Sequence, residues 1–276
     1  NAIYAGPDGT LYEVVPGSIE DALAGRVIFI GDGDQRLRED YLRILRFFRF
    51  NAWYGAEVDE EGLAACTRQK DGLAKIARER IWKELKRLLE APDPSGAVLA
   101  MEESGVLAAI LPDASAGALP ALVAVEQGAG LQPDPVRRLM ALLPRRLREV
   151  QAAGSALRLS NADLSRIVSC SDPGLGHVSV LSGQALREAF YRHGTEAVCD
   201  RALIDAASGG PGPAPVLAAA AAWERPNLPV GGEDAMAAGF KGRDIGKALA
   251  RAEADWIASD FNATREALLA GLRTPD

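Results

Sequence analysis

The sequence predicts a mainly α-helical protein, an elongated array of helices behind a small N-terminal β-hairpin. Apolar residues recur at helical spacing in one segment after another along the 276-residue chain. Alanine is abundant and aromatic residues make up only 6% of the chain, a composition that favours helix over sheet. Proline and glycine punctuate the pattern, most sharply at Ala91-Pro92-Asp93-Pro94 and at Gly209-Gly210-Pro211-Gly212-Pro213.

Taken in order, Gly6-Pro7-Asp8-Gly9 reads as a turn between two β-prone pieces, Ile3–Ala5 and Leu11–Val15, with Val27–Ile30 as a third extended piece. Helices are expected over 36–54, 57–67 and 73–90. After the proline break comes 95–104, where Asp93 or Ser95 can cap the helix start. Further helices are expected over 105–110, 117–127, 134–143, 144–156, 161–170, 180–192, 195–207 and 213–223, then Asp244–Ser259 and a closing Thr264–Leu272. A chain of this length can bury a substantial core and form more than one compact unit. The breaks divide it at 90/91 and 208/209, leaving 1–90, 91–208 and 209–276.

The net charge of −7 excludes a uniformly basic nucleic-acid binder. Locally the balance reverses: Arg68, Lys70, Lys75, Arg78, Arg80, Lys83, Lys86 and Arg87 outnumber Asp71, Glu79 and Glu84. A phosphate backbone responds to such a stripe and not to the average charge. Cys66, Cys170 and Cys199 are too widely spaced for a zinc signature and are expected to be reduced thiols. No apolar run approaches the ~20 residues that span a bilayer, so no membrane partner and a cytoplasmic location are expected. His177 and His193 lack metal-site spacing. The glycines of Gly239-Phe240-Lys241-Gly242-Arg243-Asp244-Ile245-Gly246-Lys247 are misplaced for a phosphate loop, and Ala248 stands where that loop needs a hydroxyl. This segment reads as an inter-helix turn whose Lys241 and Arg243 touch RNA.

The richest stretch runs from Gly31 to Phe50. As a helix from Arg36 it sets Leu42, Leu45 and Phe48 on one face while Arg43, Arg46 and Arg49 recur every third residue on another. Asp40 lies one turn from Arg43. A carboxylate only accepts hydrogen bonds and a guanidinium only donates them. Adenine and cytosine present an amino donor beside a ring-nitrogen acceptor, so such a pair matches both. Guanine and uracil present a carbonyl and a ring N–H on that edge and leave polar groups unpaired. The pair predicts ATP and CTP over GTP and UTP.

Residues 31–55, GDGDQRLREDYLRILRFFRFNAWYG, resemble the neck motif of class II tRNA nucleotidyltransferases, the CCA-adding enzymes, and of the related bacterial poly(A) polymerases. The Glu-Asp-x-x-Arg core of that motif falls on Glu39, Asp40 and Arg43. Glu79, Arg80 and Glu84 match a second motif, Glu-Arg-x-x-x-Glu, and LPVGGEDAMAAGFKGRDIGKALARAEADWI resembles the family's C-terminal segment. The resemblance implies that 36–90 is a neck reading the base of the incoming nucleotide, that 91–208 is a helical body, that 209–276 is a tail, and that 1–35 is the edge of a catalytic head. It implies Asp40, Arg43, Glu39, Arg46 and Arg49 as nucleotide-binding residues and Arg68, Lys75, Lys83, Lys86, Arg87, Lys241 and Arg243 as RNA-binding ones. Arg80 and Glu84, at i,i+4, are expected to pair and brace their helix.

The chain departs from the family at Val14 and Ile28, apolar where charged residues are common in relatives, and opens on Asn1-Ala2-Ile3-Tyr4, similar to a run downstream of the family's head. The head's metal-binding aspartates, which hold Mg2+ for phosphoryl transfer, are therefore expected upstream. Asp32 and Asp34 have Asp-x-Asp spacing but read as turn and helix-start residues. The implied partners are the tRNA 3′ acceptor arm, ATP and CTP, and the head itself. Alone, the chain is expected to bind no metal and to add no nucleotides. Two alternatives are part of a poly(A) polymerase and an independent helical RNA-binding module without chemistry.

Overall fold

The computed structural model describes residues 3–272, so Asn1 and Ala2 of the N-terminal resemblance lie outside the described residues. It is mainly helical. Strands β1 (Ile3–Ala5) and β2 (Leu11–Glu13) pair antiparallel with Tyr4 opposite Tyr12. The helices are α1 (Ser18–Leu23), α2 (Gly33–Glu39), α3 (Leu42–Tyr54), α4 (Glu60–Gln69), α5 (Arg78–Leu89), α6 (Ser95–Glu103), α7 (Val106–Ile110), α8 (Leu119–Gly128), α9 (Pro135–Leu142), α10 (Leu147–Leu157), α11 (Asn161–Ser171), α12 (Gly183–His193), α13 (Thr195–Ala207), α14 (Ala214–Ala221), α15 (Gly232–Ala237), α16 (Arg243–Ala258) and α17 (Arg265–Gly271).

Several elements depart from expectation for local reasons. The single helix expected over 36–54 is two, because Asp40 is extended (φ −155°) and its carboxylate accepts the Leu42 N–H at 3.1 Å, restarting the chain as α3. The Tyr41 ring fills the break and lies so close to Gly72 that a Cβ there would sit 2.1 Å from it. Asp59 caps α4 three residues later than expected, its carboxylate taking the Gly62 N–H at 2.7 Å. The helix expected from 73 begins as a 3-10 turn over Lys70–Lys75 and restarts at Arg78. Val27–Ile30 forms no strand, and α1 and α15 are additional short helices.

A continuous core runs from Leu37 through Ile204, so the neck helices and the body share one interior. Helix α12 faces two ways. Phe190 joins a cluster with Val178, Val198 and Val216, whereas Tyr191 belongs to the tail core around Trp256, Phe261 and Leu268. Polar links fasten the same helix to the tail: Gln184 donates to the carbonyls of Ile257 and Ala258 at 2.9 and 3.0 Å, and the Tyr191 hydroxyl reaches Glu253 at 2.7 Å.

The joint between neck and body holds a buried charge. Arg138, 1% exposed, donates to Glu126 at 2.8 Å and to the carbonyls of Leu89 and Ala91 at 2.7 and 2.5 Å, satisfying carbonyls at the end of α5. Arg137 donates to the other Glu126 oxygen at 2.6 Å. Removing one member of such a set leaves the others charged and dry. Glu126→Gln is expected to destabilise the fold by about 3 kcal/mol, read as a lowered denaturation midpoint at unchanged slope.

Candidate nucleotide and nucleic-acid interface

Helices α3 and α5 lie side by side and point the same way. Asp40, at the start of α3, meets Arg80, near the start of α5, at 3.3 Å, and Trp53, near the end of α3, donates to the Arg87 carbonyl at 2.7 Å. Between these links Glu84, a buried carboxylate on α5, receives two guanidinium groups from α3. Arg46 Nε donates to Oε1 at 3.2 Å, and Arg49 Nε sits 2.9 Å from Oε2, an ion-pair distance out of line for a hydrogen bond. Apolar contacts complete the seam through Leu45, Phe48, Ile81, Leu85 and Leu88. Glu84 thus holds the neck together across helices.

This corrects the pairing expected from spacing. Arg80 does not brace Glu84; it faces Asp40, while Glu79 meets Arg158 at 3.0 Å. Arg46 and Arg49 both serve Glu84, although Arg46 keeps 45% of its side chain in solvent and can reach an anion as well.

Asp40 and Arg43 share the restart of the helix, where the Arg43 N–H donates to the Asp40 carbonyl at 3.0 Å, but their side chains bond elsewhere. Arg43 donates to Glu39 at 2.5 Å and to the Arg36 carbonyl at 2.7 Å. The Arg43 guanidinium holds the Glu39 carboxyl below the usual carboxylate range. The donor and the acceptor that suit a base edge are thus each occupied by a neighbouring ion, at positions half open to solvent.

Beside this pair α5 presents Arg80, Lys83 and Arg87 at i, i+3 and i+7 on its exposed face. Lys83, Lys86 and Arg87 form no ion pair among the described residues. Lys75 packs its ammonium 5.4 Å from the Tyr41 ring centroid. Arg68 is committed to Asp34 at 2.5 Å, and Lys241 and Arg243 stand exposed far along the chain, Lys241 at the lip of a cleft of about 550 Å3 between α16 and α17. Tyr4, Tyr12, Val14 and Ile28 are exposed at the N-terminal end.

Asp32 and Asp34 do not suit a metal. Asp32 caps α2 by accepting the Gln35 N–H at 2.9 Å, and both Asp34 oxygens are taken, by Arg68 and Gln69. Among the described residues no three His, Cys, Asp or Glu side chains converge on a common point. Burial pushes the thiols of Cys66 and Cys170 up to about 12, so they stay protonated.

Known proteins share the fold. A family model described as the probable RNA and SrmB-binding site of polymerase A matches residues 55–117. The mitochondrial CCA tRNA nucleotidyltransferase 1 of Danio rerio is 30% identical over 287 residues, covering 99% of this chain and 64% of that protein. The chain is similar over 99% of its length to CCA-adding enzymes. It spans under two thirds of the length of such curated CCA-adding relatives. The fold is shared with the CCA-adding enzyme of Bacillus stearothermophilus, solved with CTP, at a TM-score of 0.71 and 20% identity, covering 99% of this chain and 70% of that one. The Thermotoga maritima CCA-adding enzyme, solved with tRNA, aligns at a TM-score of 0.60 and 17% identity over 99% of this chain and 70% of that one.

Two substitutions separate scaffold from surface at the α3–α5 seam. Glu84→Gln strands two guanidinium groups at a buried seam and is expected to cost about 3 kcal/mol, whereas Arg80→Ala removes a half-exposed pair and costs below about 1 kcal/mol; paired denaturant titrations check the order. A pH scan tests the α2–α4 link. Hydrogen bonds from Arg68 and then Gln69 lower the Asp34 carboxyl from 3.8 to about 2. Its contribution is therefore complete above pH 3.8 and lost as the pH falls through about 2. Asp34→Asn should remove that part of the acid limb of the stability profile and leave its slope at neutral pH unchanged.

Proposed function

We propose that this chain is the neck, body and tail of a template-independent nucleotidyltransferase that adds CCA, or part of it, to tRNA 3′ ends. The division into 36–90, 91–208 and 209–276 assigns base recognition to the first part and RNA binding to all three. In the neck, Asp40 accepts from the amino group of adenine or cytosine and Arg43 donates to the adjacent ring nitrogen. Glu39 and Arg80 hold the two side chains in the absence of a base and release them to it. Arg46 lends its solvent-facing N–H groups to the triphosphate.

The observation that carries this reading is the pairing of Asp40 with Arg80 and of Arg43 with Glu39 at the α2–α3 break. A surface that only binds phosphate gains nothing from an acidic group among its arginines. The unpaired Lys83, Lys86 and Arg87 supply the phosphate contacts that position the acceptor arm. A poly(A) polymerase would use the same neck for ATP alone.

The chemical step belongs, on this reading, to the part of the relatives that this chain does not match, and we place the Mg2+ carboxylates there. Addition of nucleotides to a tRNA lacking its 3′ CCA, compared between this chain and the full-length product of its gene, tests the division of labour. The full-length protein should incorporate C and A while the chain alone is inert. Incorporation by neither, with tight tRNA binding by the chain, would support the binding-module alternative. In the same assay series, Lys83→Ala with Arg87→Ala should weaken tRNA binding and lower the slope of log K against log salt by about 1–2.

A further inference from the structure

Away from the neck, a cavity of about 290 Å3 opens where the body meets the tail, lined by Arg145, His177, Ser179, Val180, Asp205 and the loop from Ser208 to Pro211. Two of its polar atoms are buried and unpartnered. Asp205 is 4% exposed; its Oδ1 receives Arg145 and, at 3.2 Å, Arg201 Nε, but Oδ2 receives nothing, and the Ser179 hydroxyl is likewise unpaired. Buried polar groups are nearly always satisfied, so two in one small cavity call for a ligand or a water. The wall is built tightly. Gly210 N–H donates to the Asp205 carbonyl at 2.9 Å, and a Cβ on Gly210 would come within 2.8 Å of that oxygen.

The charges narrow the ligand. A phosphate would meet the free carboxylate oxygen. An ammonium would enter between Arg145 and Arg201, with Arg146 and Arg148 following at the surface. A neutral N–H donor satisfies Oδ2 without either conflict. The remaining N–H groups of Arg145, one third exposed, and the Ser179 hydroxyl can serve acceptors beside it. The apolar rim at Val180, 69% exposed, together with Pro211 suits a flat ring. The volume lies at the lower end of ligand pockets, enough for a single heterocycle and too little for a nucleoside triphosphate.

We propose that this cavity is a second nucleobase site, which takes one purine or pyrimidine ring through an N–H bonded to Asp205 Oδ2. The base comes either from a free nucleotide or from an unpaired position of bound RNA, and the second source rests on the tRNA-binding reading above.

Amide shifts of Val180, Ser208, Gly209 and Gly210 are followed while the chain is titrated with AMP and, separately, with purine riboside 5′-monophosphate, which lacks the amino group. AMP should move these amides, and the analogue should bind at least about tenfold more weakly, the value of one lost hydrogen-bonded edge. Ser179→Ala removes no internal bond, so its melting temperature should hold while AMP affinity falls about fivefold. Asp205→Asn should abolish the shifts, and the Ser179 variant keeps the question open to test if that protein does not fold. Equal binding of AMP and the analogue would overturn the proposal. So would unchanged affinity in Ser179→Ala, or no shift at ~10 mM AMP together with none in the tRNA complex, the result expected if water alone fills the cavity. Displacement of AMP by tRNA identifies RNA as the source; simultaneous binding identifies the free nucleotide. Failure of the chain to bind tRNA overturns the functional reading and leaves the nucleotide arm standing.

Discussion

The neck depends on one buried carboxylate. Glu84 sits in the seam between α3 and α5 with Arg46 and Arg49 against it. Apolar side chains in place of all three would pack the seam at least as well. The ion set adds register, because Arg46 and Arg49 must both lie beside Glu84. That register fixes where Asp40 meets Arg80 and where Trp53 meets the Arg87 carbonyl. A shift by one turn would separate all of these contacts, so the seam transmits its geometry to the helix start where the candidate base readers stand.

Around that frame the charged groups fall into two kinds. Arg137, Arg138, Glu126 and Asp200 are buried and, with the half-buried Arg166, mutually satisfied, and burial raises the Asp200 carboxyl against the pull of Arg166. They tie α8, α9, α11 and α13 into one body. Glu39, Arg43, Asp40 and Arg80 are half open, with partners that solvent or a ligand can replace at small cost. Pairing within the protein keeps these groups ordered and hydrated, and a better-matched ligand can displace it. The same logic, with the sign reversed, applies at Asp205, where an oxygen has no internal partner to give up.

Much of this was legible in the sequence. Helical spacing, proline breaks and caps located the helices from α6 to α14 within a few residues, and the arginine-threaded stretch from Gly31 to Phe50 drew attention to the neck. The break at Asp40 was missed although its signal was present, since an Asp ahead of an apolar run is a helix start. Arg80 and Glu84 were paired with each other because spacing on one helix is visible in sequence and a neighbouring helix is not. The two buried arginines of α9 were not singled out, although they are charges inside the otherwise apolar PVRRLMAL, and their partner Glu126 lies on another helix. Arg145 and Asp205 are 60 residues apart and meet only through the folded body. Short helices α1 and α15 are too brief for periodicity to reveal.

The central claim is that Asp40 and Arg43, set in place by the α3–α5 seam, choose the base. The most direct measurement is the relative rate at which the full-length gene product, with and without Asp40→Ala, transfers each of the four nucleoside triphosphates to a tRNA lacking its 3′ CCA. The account predicts that the variant stays folded and loses most of its discrimination against GTP and UTP. Undiminished preference for CTP and ATP in the folded variant would contradict it.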